Sequence, residues 1–516
     1  MSGLIRNTAL VGGMTLLSRI LGFVRDLVLG RVFGAGMALD AFFVAFKIPN
    51  LLRRFFGEGA FSLAFVPVLS EYRVRRDEAA VRDLVARVFG TLAGTLLVIT
   101  VLGILAAPVL MMLFGMGWYL DGDPQYPLAT DLLRIVFPYI LFISLVAFAA
   151  GILNTWGRFG LPAFAPVLLN LVLIATALLW RGDPYALAWA VFAAGVLQLL
   201  LLLPALRRLR LLPRPAWGWR DPGVRRILAL MGPALVGSSV AQINILFDTL
   251  IASFLVTGSV SWLYFADRLV EFPLGVFGVA LSTVILPSLS REHAAEDPAR
   301  FRRLLDQALR WVLLLGAPAT FGLLLLAEPI VITLFQYDRF TPQHAAMVAL
   351  ALQAYALGLP AFLLVKVLAP GFYSRQDTRT PVRIGMLAMG VNMVLNLVFV
   401  LSLLRLGFEG PHAGLALATA GSSWLNAWLL YRHLRRDGVY APETGWRQIF
   451  GRVAAALGLM ATILLLGPAG SETWLARAGS ERALWLVIWI GAAGVAYLLT
   501  LQLLGQRLDL LWRRQV

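Results

Sequence analysis

Apolar runs of about twenty residues recur from one end of this 516-residue chain to the other, and they limit its fold more than any other feature. A helix needs about 20 such residues to cross the hydrocarbon core of a bilayer. Within that core each backbone N–H and C=O must be satisfied inside the protein, and a helix achieves this within one segment. Fourteen runs are read as spans, at 8–33, 38–66, 88–114, 128–151, 161–180, 185–206, 227–255, 260–288, 306–335, 343–370, 381–404, 412–431, 449–468 and 483–504.

Composition agrees. Charged residues make up 14% of the sequence, against roughly 25% in soluble domains, and the mean hydropathy is +0.80. The expected fold class is an all-α polytopic membrane protein of 14 transmembrane helices. No polar stretch is long enough for a separate soluble domain. Cysteine is absent, which excludes disulfides, thiol catalysis and cysteine-ligated metal. The opening stretch is short and no small-residue cleavage site follows the first run, so no cleavable signal peptide is expected.

A formal charge of +16 raises the question of nucleic acid, and its distribution answers it. Of the 44 Lys and Arg, 28 fall at the two ends and in alternate loops, counting Arg383 with its loop. Those loops include YRVRRDEAAVRD (72–83), RRLRLLPRPAWGWRDPGVRR (207–226), SRQDTRTPVR (374–383) and YRHLRRDG (431–438). The other loops hold five, Arg181, Arg339, Arg405, Arg477 and Arg482. By the positive-inside rule the first set is cytoplasmic, with both termini inside. The basic excess encodes topology, and no nucleic-acid partner is expected.

An internal repeat divides the chain. GAFSLAFVPVLSEY (59–72) is similar to VALSTVILPSLSRE (279–292), VLLNLVLI (167–174) to MVLNLVFV (393–400), and ALVGG (9–13) to ALVGS (234–238), at offsets of 220, 226 and 225 residues. A nearly constant offset in one order indicates duplication. Two pseudo-symmetric six-helix lobes are expected at 1–218 and 219–440, followed by a C-terminal helix pair at 441–516. Such parallel halves place a transporter's site between them near the midplane.

Charge inside the spans is the functional signal. An ionised side chain at the bilayer centre costs about 2.5–3.5 kcal/mol on insertion scales unless it meets water or a partner. SRILGFVRDLVLGR (18–31) carries Arg19, Arg25, Asp26 and Arg31; Arg19 and Asp26 fall about 20° apart on a helical wheel. Arg31 sits near a helix end, where its head can snorkel. Arg19 and Arg25 point to a polar cavity or, more simply, to an Arg–Asp pairing, with Gly22 permitting a bend. LDAFFVAFKIPNLLRRFFGEGAF (39–61) adds Asp40, Lys47, Arg53, Arg54 and Glu58, with a helix break expected at Pro49 and Gly57–Gly59. Arg54 and Glu58 are spaced to pair with each other, leaving Arg53 as the cavity candidate. In the second lobe YFADRLVEFP (264–273) offers Asp267, Arg268 and Glu271; Arg268 and Glu271 are again spaced to pair. The two lysines of the chain, Lys47 and Lys366, both lie in apolar surroundings, where an ammonium differs from a guanidinium in hydration and geometry. Clustered arginines favour an anion, and their forks match phosphate oxygens. No nucleotide-binding loop, zinc motif or catalytic triad appears, and His293, His344, His412 and His433 lack ligand spacing, so an enzyme is not expected.

These residues resemble the MurJ (MviN) family of the multidrug/oligosaccharidyl-lipid/polysaccharide (MATE-like) transporter superfamily. The stretch from SRILG to LSEY (18–72) is similar to its N-terminal signature, as are GILNTWGRFGLPAFAPVLLN (151–170), TGSVSWLYFADRLVEFP (257–273), LFQYDRFT (334–341) and VKVLAPGFYSRQDTRTPV (365–382). The resemblance implies a flippase for lipid II, the undecaprenyl-pyrophosphate-linked peptidoglycan precursor, working by alternating access in the bacterial inner membrane. It implies a cavity lined by Arg19, Arg25, Asp40, Arg53 and Arg268, with Glu58 at a family acidic position; Lys47 and Lys366 complete the candidate substrate-binding set. Some members bind sodium between the seventh and eleventh helices, and Asp248 with Asn392 and Asn396 is the candidate equivalent. No cofactor is expected beyond a coupling cation (Na+ or H+) or the membrane potential, and the expected partners are lipid II and membrane lipids around a monomer. The alternatives are a flippase for another polyprenyl-pyrophosphate glycan, an ion-coupled drug exporter of the same fold, or a non-transporting scaffold.

Overall fold

The structure, a computed structural model, describes residues 2–53, 60–467 and 471–506. Among them there is no strand, and most helices follow one another through short turns, the longest described connections being 209–221 and 437–445. In order they are α1 (Ser2–Phe33), α2 (Met37–Arg53), α3 (Ala60–Arg75), α4 (Glu78–Leu105), α5 (Ala107–Phe114), α6 (Met116–Leu120) and α7 (Gln125–Val136). Then come α8 (Tyr139–Thr155), α9 (Gly160–Leu179), α10 (Pro184–Arg208), α11 (Pro222–Ala252), α12 (Ser259–Pro273), a π-helical turn (Leu274–Gly278), α13 (Val279–Ala294) and α14 (Pro298–Leu325). The chain closes with α15 (Ala327–Phe335), α16 (Pro342–Tyr373), α17 (Arg379–Arg405), α18 (Ala413–Arg436), α19 (Trp446–Leu466), α20 (Ser471–Leu475) and α21 (Gly479–Leu503).

Each of the fourteen expected spans falls on one of these helices or on a consecutive pair. Nine stretches among the described residues are long and apolar enough to cross a membrane. α12 and α13, of 15 and 16 residues, share one expected span with the π-helical turn between them, and α2 and α3 are 17 and 16 residues long within the described residues. The basic segment 72–83, expected as a loop, is mostly helix: α3 runs to Arg75 and α4 begins at Glu78. Asp77 makes that tight turn possible, because its side chain accepts from Ala80 N and caps α4.

The same chemistry starts other helices. Asp183–Pro184, Asp221–Pro222 and Asp297–Pro298 each place a carboxylate at the N-cap and a proline in the first turn. The carboxylate takes a free backbone N–H, and proline has no N–H to leave unsatisfied there.

Contacts divide the chain into two compact units, Met1–Ser261 and Trp262–Val516. In the first, α1 packs on α9, α10 on α8 and α9, α2 on α7, and α11 on α3. In the second, α16 packs on α14 and α18, α17 on α18, and α19 on α21 and α14. The helices carrying the matched stretches, α3 and α13, are both 16 residues long with Pro67 and Pro287 inside them.

Candidate functional site

The charges of α1 are placed on two different kinds of surface. Arg25 donates from Nε and Nη2 to Asp26 Oδ1 at 2.9 and 2.7 Å, and these side chains are only 11% and 1% exposed. Its remaining nitrogen Nη1 reaches across to α9 and donates to Asn170 Oδ1 at 3.1 Å. Asn170 in turn donates from Nδ2 to the Ser18 carbonyl at 3.0 Å. A buried charge is tolerable when it is both paired and hydrogen-bonded, and this cluster meets both conditions. Gly22 faces this cluster: a Cβ there would stand 3.7 Å from the Asn170 amide, an ordinary contact distance. α1 stays helical through Gly22. Arg19 and Arg31 are exposed.

α2 continues through Pro49 to Arg53, so the helix break expected at the proline does not occur there. Asp40 and Lys47, seven residues apart, share one face of it. Asp40 is 1% exposed; its Oδ2 accepts from Gly258 N at 2.6 Å and its Oδ1 from Ser261 N at 2.8 Å and from Ser261 Oγ. The carboxylate thus caps the start of α12, where unsatisfied N–H groups and the helix dipole favour a negative charge. Gly258 has φ +102°, a conformation open to glycine and strained for other residues. Lys47 Nζ donates to Thr249 Oγ1 on α11 at 2.7 Å. Arg53 is half-buried, and its Nε donates to Asn50 Oδ1 at 2.9 Å. Arg54, Gly57, Glu58 and Gly59 lie outside the described residues.

In the second unit Arg268 Nη1 donates to Glu271 Oε2 at 2.7 Å and Nη2 to the Tyr264 hydroxyl at 3.3 Å. Its guanidinium also lies 5.2 Å from the Tyr264 ring centroid, a cation–π distance. The pair stays accessible, at 37% and 52% exposure. A π-helical turn follows at Leu274–Gly278, a distortion frequent at functional positions. Lys366 on α16 is exposed, and its Cγ would stand 3.7 Å from a Cβ on Gly278. The lysine stem therefore lies against that turn.

The expected cation ligands divide between the units. Asp248 Oδ2 accepts from Asn244 Nδ2 at 3.4 Å in the first. In the second, Asn396 Nδ2 donates to Asn392 Oδ1 at 3.1 Å and Asn392 Nδ2 to Ser422 Oγ at 3.2 Å. The asparagines offer the neutral oxygen donors a hard cation accepts, on a face organised by hydrogen bonds. No group of three or more His, Cys, Asp or Glu that could hold a metal occurs among the described residues.

Sequence reasoning did not single out Asn170, Thr249 or Ser261, the partners of Arg25, Lys47 and Asp40. One signal was present: Asn170 and Asn396 occupy the same position in the repeated VLLN and MVLN stretches.

Comparison with known proteins identifies the relatives. A family model described as "Lipid II flippase MurJ" matches residues 29–478. The chain is 48% identical to a Vibrio cholerae serotype O1 protein named "Probable lipid II flippase MurJ", over 98% of this chain and 97% of that protein. It is 44% identical to a Burkholderia cenocepacia protein named "Lipid II flippase MurJ", over 89% of each. Among solved structures, a lipid II flippase MurJ in an inward closed conformation superposes with a TM-score of 0.78 at 26% identity, covering 95% of this chain and 97% of its own. An inward-facing MATE family transporter shares the fold, with a TM-score of 0.63 at 12% identity over 83% of this chain and 98% of its own.

Proposed function

The chain belongs to the lipid II flippase MurJ family, and from that premise we propose that it moves lipid II from the cytoplasmic to the periplasmic leaflet of the bacterial inner membrane. It is a multi-pass membrane transporter and not an enzyme. Fourteen crossings with both termini cytoplasmic, two repeated lobes at 1–218 and 219–440 and alternating access as a monomer complete the proposal.

The observation that carries it is the state of Arg25 and Arg268. Each guanidinium is held by a neighbouring carboxylate, Asp26 or Glu271. An arriving pyrophosphate would replace carboxylate oxygens at a guanidinium fork, so the site exchanges one anionic partner for another. Neither cation need be stripped bare during the cycle. Arg19, exposed on α1, and Lys366, beside the π-turn, would add positive charge as the headgroup enters. Arg53 is the fourth arginine assigned to the headgroup, and Glu58 keeps its proposed acidic role. Asp40 and Lys47 bind other helices directly and would shape the site rather than hold the phosphates. A monovalent cation at Asp248, Asn392 and Asn396, a proton, or the membrane potential would drive the return step.

The test is depletion and replacement. Cells depleted of their own flippase should accumulate lipid II on the cytoplasmic face, and this chain should clear it. Failure to clear lipid II, together with clearance of a different polyprenyl-pyrophosphate glycan, would overturn the substrate assignment.

A further inference from the structure

The segment joining α10 to α11 is irregular in structure over residues 211–218, yet it does not simply cross the water outside the membrane. It lies along α4. Ala216 N donates to the Ala86 carbonyl at 3.2 Å, and Gly218 N donates to Thr91 Oγ1 at 3.0 Å. The docking depends on two glycines one turn apart on α4. A Cβ on Gly90 would stand 2.2 Å from the Ala216 carbonyl oxygen, and a Cβ on Gly94 would stand 2.7 Å from the Trp217 ring. Only a helix surface without side chains at these positions admits the linker so closely.

The depth of that contact matters. Arg87 is the last charged residue of α4, and Gly94 lies about 10 Å further along the helix at 1.5 Å per residue. Trp217 therefore sits beside the apolar part of α4, beyond its charged end. Irregular backbone is admitted at such depth only where its polar groups are satisfied by protein, and the bonds to α4 satisfy the N–H groups of Ala216 and Gly218 in this way. Trp217 and Trp219 stack at 6.3 Å with 16° between ring planes, but remain 66% and 49% exposed. Charged residues bracket them, with Arg210 and Arg214 before and Arg220 and Arg225 after.

We propose that this linker is a re-entrant membrane anchor, whose paired indoles occupy the headgroup–acyl boundary of the bilayer while the flanking arginines meet lipid headgroups. Indoles favour that boundary because their rings are apolar and their N–H groups are polar. The anchor has a mechanical consequence. Asp221, at the linker's end, caps α11 through Gly223 N and Val224 N and lies 3.8 Å from Arg87. The start of α11 is thereby fixed to α4 and to the membrane surface, so movement of α11 would pivot about this end.

The absence of native cysteine permits a direct test. Single cysteines replacing Trp217, Trp219, Arg214 or Asp77 in the full chain are nitroxide-labelled and reconstituted in phosphatidylcholine–phosphatidylglycerol vesicles. Collision with oxygen, which partitions into lipid, is compared with collision with a water-soluble nickel chelate. Labels at 217 and 219 should favour oxygen several-fold over those at 214 and 77. A label at 217 as open to nickel as the one at 77 would overturn the anchor. Gly90→Ala should push the linker off α4 and move the 217 label towards nickel. An unchanged reading there would overturn the role of the glycine notch, and the depth comparison in the unmodified background is independent of that variant.

Discussion

Arg25 Nη1 lies 3.1 Å from Asn170 Oδ1, a bond between residues 145 positions apart that ties α1 to α9. The same amide holds the Ser18 carbonyl, so one asparagine positions both the guanidinium and the helix that carries it. Asn170→Ala should destabilise the protein by about 1–3 kcal/mol, the cost of leaving buried groups unsatisfied. Asn170→Asp has the opposite character: its added charge strengthens the hold on Arg25. It should lose lipid II transport, because the guanidinium is no longer released to a phosphate, and its thermal midpoint should fall no further than that of Asn170→Ala, which loses the same bond to Ser18. A fully active Asn170→Asp protein would remove Arg25 from the transport cycle.

Asp40 predicts an ordered series. Asp40→Asn turns an amide nitrogen towards backbone donors at Gly258 or Ser261, at about 1–3 kcal/mol. Ser261→Ala deletes one hydroxyl bond and leaves the backbone cap intact, costing about 0.5–1.5 kcal/mol. Thermal midpoints in detergent should fall further for Asp40→Asn than for Ser261→Ala. Equal midpoints would show that the cap on α12 contributes little.

The sequence exposed the apolar spans because hydrophobic length is a local property, and each expected span lands on helix. It exposed the charged positions for the same reason, since Arg25, Asp40 and Arg268 stand out against apolar neighbours. What those charges touch is a tertiary matter. Nothing local to Asp40 indicates that its carboxylate caps a helix beginning 219 residues later, and nothing local to Gly90 indicates an irregular segment laid across it. The π-turn after Pro273 was equally hidden. Apolar residues fill it as they fill the adjoining helices, so periodicity carries no mark of the change in winding.

Arg268 and Glu271 can be separated by experiment. A purely structural pair would make Arg268→Ala and Glu271→Gln equally harmful. An arginine that receives pyrophosphate gives asymmetry: Arg268→Ala abolishes complementation of flippase-depleted cells, Arg268→Lys retains part of it, and Glu271→Gln is tolerated. The lysine variant should be intermediate because it keeps the charge and loses the fork. Membrane protein levels checked by immunoblot keep folding defects apart from transport defects.

Tyr440 gives a pH prediction. It lies in the connection between α18 and α19, where its hydroxyl donates to Asp306 Oδ1 at 2.7 Å. Burial and that carboxylate both raise the phenol pKa well above its ordinary value near 10. A raised folded pKa means the contribution to stability is complete below pH 10 and is lost as pH rises above it towards the folded pKa. Thermal midpoints should therefore fall between about pH 10 and 12, and Tyr440→Phe, starting lower, should show a shallower fall. Parallel curves for the two proteins would exclude Tyr440 as the group responsible.

The last prediction concerns the C-terminal pair α19 and α21. A groove for the polyprenyl tail between these helices would run along Leu457, Ala461 and Ala493, but Leu457 and Ala493 are buried, at 9% and 1% exposure. The pair is fixed to α14 at two levels: Trp446 Nε1 donates to Asp306 Oδ1 at 2.8 Å, and the Tyr497 hydroxyl donates to the Leu314 carbonyl at 2.9 Å. Photocrosslinkers at 457 and 493 should therefore capture neighbouring protein. The open positions are elsewhere. Gly451 and Gly458, seven residues apart on one face of α19, face open space, with nothing within 4 Å of where a Cβ would stand, and so does Gly491 on α21. Lipid solvates a chain as well as a groove does, so shape alone would favour the tail there over phospholipid acyl chains. During turnover, a photocrosslinker at Gly451, Gly458 or Gly491 should capture polyprenyl tail in excess over one at Val487, which is 68% exposed on α21. Equal capture at all four positions would leave the pair as an anchor for the second unit, without a part in guiding the tail.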